Sequence, residues 1–337
     1  MLGNYSKHKS SSKKKYPAFI EELCRQFSLE DVRRSTNNFD EERIIGGTEF
    51  NIVYKGYLNH NGETDYPIAL KRMRNIVFDE WKFKKEVELN CQLRHPNLTS
   101  FIGFCDQKDE RILVYEYMLN GSVYDHLRLR NNESLSWKKR LEICIGAAKG
   151  LHYLHSGAKR AIFHCDIKPQ NILLDKGMVA KLSHLGFSIQ EKVSKSKYKP
   201  IKASTLIYGT FGYTAPECVR TNVFTEKCDV YSFGMVLLEV ACTNYKSSIF
   251  DKMVKLENTN RFLDESINAG SFLERFSADE IIDPILMRSI APRCLEVFVD
   301  IMQRCLKYDP NERPSMGEVE VELEHALALH EEADCCR

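Results

Sequence analysis

The run His164-Cys165-Asp166-Ile167-Lys168-Pro169-Gln170-Asn171 sets a carboxylate, a cation two residues on and a carboxamide five residues on within one short polar stretch. Phosphoryl transfer requires such a trio: a carboxylate to orient the attacking hydroxyl, a cation near the γ-phosphate and an amide oxygen for a metal ion. Asp166, Lys168 and Asn171 fit the three roles, although each alone would pass for a surface polar residue. Farther along, Ser183-His184-Leu185-Gly186 has the spacing at which a second carboxylate would hold that metal against the phosphates, yet position 184 is a histidine. A neutral imidazole brings neither an oxygen ligand nor a negative charge to Mg²⁺, a hard ion that takes oxygen donors. Losing one preorganised electrostatic partner typically costs ~10²–10³ in rate.

The elements that must position these residues are legible in outline. From 43 to about 118 the signals are strand-like: "IVYKGYL" and "PIALKRM" flank Asn61-Gly62, a hairpin turn signal. One helix, around 80–93, interrupts them, and "RILVYEYM" (111–118) closes the section as a further strand. After residue 120 the character turns helical. Leu141, Ile145, Ala148, Leu151 and His155 recur at helical spacing and define one apolar face. "VYSFGMVLLEVAC" (230–242) is too short to span a bilayer and carries Glu239, so it reads as a buried helix. Ser315-Met316-Gly317-Glu318 has the capping-box pattern, opening a last helix whose stripe is Val319, Leu323, Ala326 and Leu327. The fold class expected is α+β, bilobal: an antiparallel sheet with one helix, then a helical lobe, with a cleft at the junction near 115–121. The boundaries are 1–39 for a disordered basic arm and lead-in segment, 40–118 for the first lobe, 119–332 for the second and 333–337 for a tail.

Bulk properties narrow the function. Hydrophobic content of 43% and charged content of 28% are those of an ordinary globular chain, and a net charge of +1 gives no global attraction to nucleic acid. The twelve cysteines form no CxxC pair or regular ladder, so reduced thiols are expected rather than a disulfide framework or a zinc site. No secretory signal opens the chain and residue 2 is Leu, which removes the myristoylation pattern. The Lys-rich arm at 7–15 can make peripheral contact with acidic lipid, although a solvated tail is the plainer reading.

In their order, these motifs resemble the eukaryotic protein kinases across about residues 40–332. The resemblance implies that Lys71 of "IALKRM" holds the α- and β-phosphates of ATP and that Glu86 of "KKEVEL" is its helix partner. It adds Gly46, Val53, Ala69, Glu116 and Met118 to the nucleotide site, with Asn171 as metal ligand. "GTFGYTAPE" (209–217) matches the substrate-docking loop, Glu217 would pair with Arg313, and Asp229 would brace the catalytic loop from below. Lys168 after Asp166 is the Ser/Thr-kinase pattern. "FSLEDVRRSTNNFDEERIIG", "LEICIGAAKGLHYLHSGAK" and "GEVEVELEHALALHE" are similar to plant receptor-like kinases, in particular to the intracellular part of FERONIA-like malectin-receptor kinases.

Three departures from the pattern fall on the chemistry. His184 stands at the position of the metal-holding aspartate. Thr48 and Asn51 occupy phosphate-loop positions where the family has glycine, which permits positive φ and close approach to phosphates; nucleotide binding is expected to weaken without being lost. Cys165 replaces the arginine that reads a phosphate on the activation segment, which argues against switching by that route. His152 and His155 invite a metal reading but match the family's "GLHYLH", so packing is expected of them.

The basic stretch 191–205, with Ser194, Ser196, Ser204 and Thr205 as phosphorylation candidates, can dock an acidic or phosphorylated partner. The expected function is a pseudokinase: a signalling protein with weak ATP binding, disfavoured Mg²⁺ and a regulatory or scaffold role. Its expected partner is an active receptor-like kinase or an immune receptor, in the cytoplasm or at the inner face of the plasma membrane. An active Ser/Thr kinase using Asp166, Lys71 and Asn171, and a nucleotide-independent adaptor, are the alternatives.

Overall fold

The computed structural model describes residues 16–60, 63–74, 76–128, 135–190, 201–202, 209–242 and 281–335. They divide into two compact units, one within Met1–Gln92 and Phe101–Glu116, the other within Leu93–Ser100 and Tyr117–Arg337.

The first unit is built on six strands: β1 (Arg25–Gln26), β2 (Ile44–Thr48), β3 (Asn51–His60), β4 (Glu63–Met73), β5 (Phe101–Gln107) and β6 (Glu110–Glu116). Their order is β1-β5-β6-β4-β3-β2, antiparallel except for β1, which runs parallel to β5. Three helices accompany the sheet: α1 (Ala18–Leu23), α2 (Leu29–Ser35) and α3 (Ile76–Gln92). Alternation along the strands sends successive side chains to opposite faces. On β6, Leu113 packs with Phe101, Phe104, Phe83 and Val87 on one side, while Ile112 and Val114 pack with Tyr54, Ile68 and Leu70 on the other.

The described part of the segment read as a lead-in, residues 16–39, is built into this unit. Tyr16, Ile20 and Cys24 fill the α3 side of the sheet, whereas Phe27, Leu29 and Val32 fill the opposite side. Ser28 and Asp31 cap α2 reciprocally, satisfying backbone donors that the first helical turn leaves open. β1 can join β5 because Gly103 has no side chain: a Cβ there would lie 2.0 Å from the Arg25 carbonyl oxygen. The expectation of reduced thiols is also corrected, since Cys24 is disulfide-bonded to Cys91 on α3, with Cα atoms 5.9 Å apart, and Cys218 to Cys228. Partners 67 residues apart, one capping the end of α1 and the other on α3, leave no local spacing signal, and only the packing of α1 on α3 reveals them.

The second unit contains α4 (Val123–Arg128), α5 (Trp137–His152), β7 (Ile162–Phe163), β8 (Ile172–Leu174), β9 (Ala180–Leu182), β10 (Ile189–Gln190), β11 (Ile201–Lys202), α6 (Pro216–Thr221) and β12 (Val223–Phe224). After these come α7 (Glu226–Ala241), α8 (Pro284–Met287), α9 (Pro292–Cys305) and α10 (Met316–Cys335). Leu141, Ile145, Ala148, Leu151 and His155 are all buried, as their spacing predicts, with His155 lying in a π-helical turn after α5. α7 is buried from Cys228 to Ala241. Glu239 is accommodated there by Arg128 at 3.3 Å and by the Tyr213 hydroxyl, which donates to it. The Ser315–Glu318 capping box forms at the start of α10, and Val319, Leu323 and Ala326 are buried while Leu327 is partly exposed. No described helix is long and apolar enough to cross a membrane.

Candidate active site

In the first unit, β4 lies between β3 and β6, so hydrogen-bonded ladders on both sides fix the direction of its side chains. Lys71 on β4 faces α3, and its Nζ lies 2.9 and 3.0 Å from the two Glu86 oxygens. The pair is nearly dry, with 11% of the lysine and 1% of the glutamate side chain exposed. Tyr115 on β6 donates its hydroxyl to Glu86 Oε1 at 3.0 Å, and Asn90 one turn along α3 donates to the Tyr115 oxygen at 3.2 Å. Burial, reinforced by the Glu86 charge, holds the Tyr115 hydroxyl well above the usual phenol range, so it remains a donor. In register, Val53 lies opposite both Lys71 and Gly46, and Ala69 lies opposite Tyr115. Glu116 ends β6, and Met118 is buried in the second unit.

The hairpin between β2 and β3 changes the expectation for Thr48 and Asn51. Positive φ occurs in this turn at Gly47 (φ +148), and neither Thr48 nor Asn51 has one. A Cβ on Gly47 would meet the Asn51 carbonyl oxygen at 2.5 Å, so glycine is required there by close approach. Thr48 Oγ1 accepts from Asn51 Nδ2 at 2.9 Å and from the Phe50 amide at 3.1 Å, closing the turn with side chains. The two residues thus carry no left-handed strain.

In the second unit, the loop between β7 and β8 converges on Asp166. Asn171 Nδ2 donates to Asp166 Oδ2 at 2.8 Å and to the Asp166 carbonyl at 2.7 Å, and Lys168 Nζ lies 3.2 Å from Oδ2. Thr210 adds a link that the residue spacing alone did not reveal. Its hydroxyl donates to Asp166 Oδ1 and accepts from Lys168 Nζ, both at 2.6 Å. The clue in the sequence was the stretch "GTFGYTAPE", but nothing in it says which threonine turns back. Burial alone would push the Asp166 carboxyl up. The neighbouring His184 and Lys168, with the Thr210 hydrogen bond, outweigh that and hold it below the usual carboxylate range.

Asp229, at the start of α7, accepts from the backbone amides of His164 (2.7 Å) and Cys165 (2.8 Å) and bonds the His155 ring at 2.8 Å. A buried carboxylate so satisfied fixes the loop from beneath. The His164 ring accepts from the Asp166 amide at 3.2 Å and donates to the Ser183 carbonyl at 2.9 Å, tying the loop to the turn that carries His184. His155 is therefore a packing residue, and His152 turns instead to Glu320 at 2.8 Å. Cys165 is buried with φ +66.

His184 follows β9 in the left-handed region, φ 69° and ψ 57°, which is uncommon for non-glycine residues and is entered most readily by Asn, Asp and His. Its Nε2 lies 3.9 Å from Asp166 Oδ2, so the ring occupies the neighbourhood of the loop carboxylate. The donor set offered to a cation is one carboxylate, one carboxamide and one imidazole. That is a poor match for Mg²⁺, which demands oxygen donors in near-ideal octahedral geometry.

Glu217 pairs bidentately with Arg313, at 2.6 and 2.9 Å, and Arg313 also donates to the carbonyls of Lys307, Lys227 and Tyr308. Glu217, Cys218 and Cys228 also approach within 4.8 Å of one another, a separation suited to a metal ion. Arg313 already holds the carboxylate, however, and the two sulfurs are bonded to each other. The Lys-rich arm, the turn Asn61-Gly62 and the phosphorylation candidates at 194, 196, 204 and 205 lie outside the described residues.

Residues 39–323 match the family described as protein tyrosine and serine/threonine kinase. The chain is similar to receptor-like protein kinases of Arabidopsis thaliana: 41% identical to FERONIA over 316 residues, covering 93% of this chain and 33% of that protein. It is 42% identical to ANXUR2 over 318 residues (94% and 35%) and 40% identical to THESEUS 1 over 326 residues (96% and 36%). It thus spans about a third of the length of the curated relatives it matches. Membership of a kinase family implies ATP and Mg²⁺ use as a class property. The sheet-based unit, the helical unit and the match over 39–323 lead to one conclusion: the chain belongs to the protein tyrosine and serine/threonine kinase family.

Proposed function

We propose that this chain is a signalling protein of the plant receptor-like kinase type that holds ATP and transfers its γ-phosphate poorly with Mg²⁺. The observation that carries this reading is the contrast within one set of residues. Lys71–Glu86 and the Asp166–Lys168–Asn171–Thr210 cluster are assembled, while His184 stands where a metal-holding carboxylate belongs. Lys71 would hold the α- and β-phosphates, Gly46, Val53, Ala69, Glu116 and Met118 would line the nucleotide site, and Asp166 would orient a hydroxyl. In this role the chain acts chiefly through contacts with an active receptor-like kinase or immune receptor, at or near the cytoplasmic face of the plasma membrane.

A second reading, a slow but working Ser/Thr kinase, is favoured by the Thr210 hydroxyl that joins Asp166 to Lys168. A thermal-shift titration with ATP, with and without Mg²⁺, separates the two. Stabilisation by ATP alone supports the first, Mg²⁺-dependent stabilisation with autophosphorylation supports the second, and no shift at millimolar ATP leaves a nucleotide-independent adaptor. His184→Asp should raise Mg²⁺-dependent autophosphorylation by about 10² or more, the rate assigned above to one lost electrostatic partner. No increase would move the lesion away from residue 184.

A further inference from the structure

The mismatch between Mg²⁺ and the donors around Asp166 has a definite chemical direction. Three side chains converge there: Asp166 Oδ2 lies 2.8 Å from Asn171 Nδ2 and 3.9 Å from His184 Nε2. Asn171 directs its amide nitrogen at both the side chain and the carbonyl of Asp166, so the carboxamide oxygen is the end left for a cation. The separation of 3.9 Å between imidazole nitrogen and carboxylate oxygen lies within the reach of a single bridging ion. Two bonds of about 2.1 Å at a tetrahedral angle set their donor atoms about 3.4 Å apart, so the imidazole and the carboxylate would close by about half an ångström to share one ion.

The charge balance points the same way. A single carboxylate, with Lys168 Nζ only 3.2 Å from it, offers a hard ion little net attraction. Imidazole instead suits later first-row ions such as Co²⁺, Ni²⁺ and Zn²⁺, whereas carboxylate, carbonyl and water oxygens suit Mg²⁺. The left-handed backbone at His184 and the ring's approach to Phe187, 5.5 Å between centroids, fix where the imidazole lies.

We propose that this chain's metal position selects a nitrogen-accepting first-row divalent ion of the Co²⁺, Ni²⁺ and Zn²⁺ class over Mg²⁺, with His184 Nε2, Asp166 and the Asn171 oxygen as its protein ligands. The inference rests on the reading that the chain binds ATP, whose phosphate oxygens would complete the coordination. Position 184 thereby becomes a selector of metal identity rather than simply a lost ligand.

Calorimetric titration of the full chain with Co²⁺ and with Mg²⁺, each with and without the non-hydrolysable analogue AMP-PNP, tests it. Circular dichroism would verify folding of each variant. His184→Asn keeps a residue that tolerates the left-handed backbone and replaces nitrogen with oxygen. The Co²⁺-over-Mg²⁺ preference of the wild type should fall at least about tenfold in His184→Asn, the scale on which metal-site substitutions act. His184→Asp should shift the preference toward Mg²⁺, and the visible absorption of bound Co²⁺ should change when the nitrogen ligand is removed. Co²⁺ affinity and spectrum unchanged in His184→Asn and His184→Ala would overturn the proposal, as would absence of Co²⁺ binding to the wild type. If the metal-free chain fails to bind AMP-PNP while a His184-dependent Co²⁺ site persists, the nucleotide reading falls and the metal site stands.

Discussion

Lys71 and Glu86 form a pair whose energetics can be separated by experiment. A buried ion pair contributes modestly as a unit, yet removing one partner strands a charge in a dry site and typically costs about 3–5 kcal/mol. Glu86 is 1% exposed, so Lys71→Met should lower the unfolding free energy by about 3 kcal/mol in urea titrations. The double variant Lys71→Met/Glu86→Leu should recover much of that loss. Equal losses in the single and double variants would mean that the Tyr115 hydroxyl already satisfies Glu86 without the lysine. The family pattern placed Lys71 and Glu86 together, and the structure adds Tyr115, which donates to the glutamate, and Asn90, which holds the Tyr115 hydroxyl. His184 is the opposite case. Its identity was visible at once, but its proximity to Asp166 depends on a turn whose backbone lies in the left-handed region.

Element by element, two devices had different visibility. The capping box at the start of α10 is a pattern within four residues, so the sequence alone displays it. Ser315 hydrogen bonds hold the Glu318 carboxyl below its ordinary value of 4.5. Because that pKa is depressed by folding, the stabilisation is present above pH 4.5 and disappears as pH falls through the folded value. Ser315→Ala should therefore cost about 1 kcal/mol at neutral pH, with the gap to wild type narrowing in acid melts as the bond to the Glu318 carboxylate is lost. A gap that stays constant down to pH 2 would assign it to the Ser315 hydroxyl accepting from the Glu318 amide alone. The Cys24–Cys91 bond joins α1 to α3, the helix that carries Glu86, and closes a separation of 67 residues. In the loop-closure account such a crosslink contributes about 4 kcal/mol. Cys24→Ser should lose up to that amount under non-reducing conditions, and dithiothreitol should bring the wild type down toward the variant. Identical curves with and without reductant in the wild type would show that the bond does not form in solution.

For the molecule as a whole, stability is a small difference between large terms, about 5–15 kcal/mol for a domain. Arg313, with no exposed side-chain surface, joins Glu217 to three backbone carbonyls and lies 4.9 Å from the Tyr231 ring centre. Arg313→Ala leaves Glu217 and those carbonyls without their donor, so a loss of about 3–5 kcal/mol is expected in equilibrium denaturation. That is a large share of the total, and soluble expression should fall with it. Arg313→Lys should recover only part, since an ammonium cannot reproduce the bidentate fork. A lysine variant as stable as wild type would show that charge alone suffices at this site.

By itself the sequence determined the class of fold, the carboxylate, cation and carboxamide of the Asp166 loop, and the histidine at position 184. Each depends on residue identity at short spacing, and short spacing survives in one dimension. Only the tertiary structure decided that residues 16–35 build the sheet unit, that Cys24 meets Cys91, and that Thr210 closes on Asp166 and Lys168. It likewise decided that Thr48 and Asn51 sit without left-handed strain. Those four depend on contacts between distant segments or on backbone angles set by the neighbouring strand. A linear pattern does not carry them, because the same residue types satisfy it whether or not the chain brings them together.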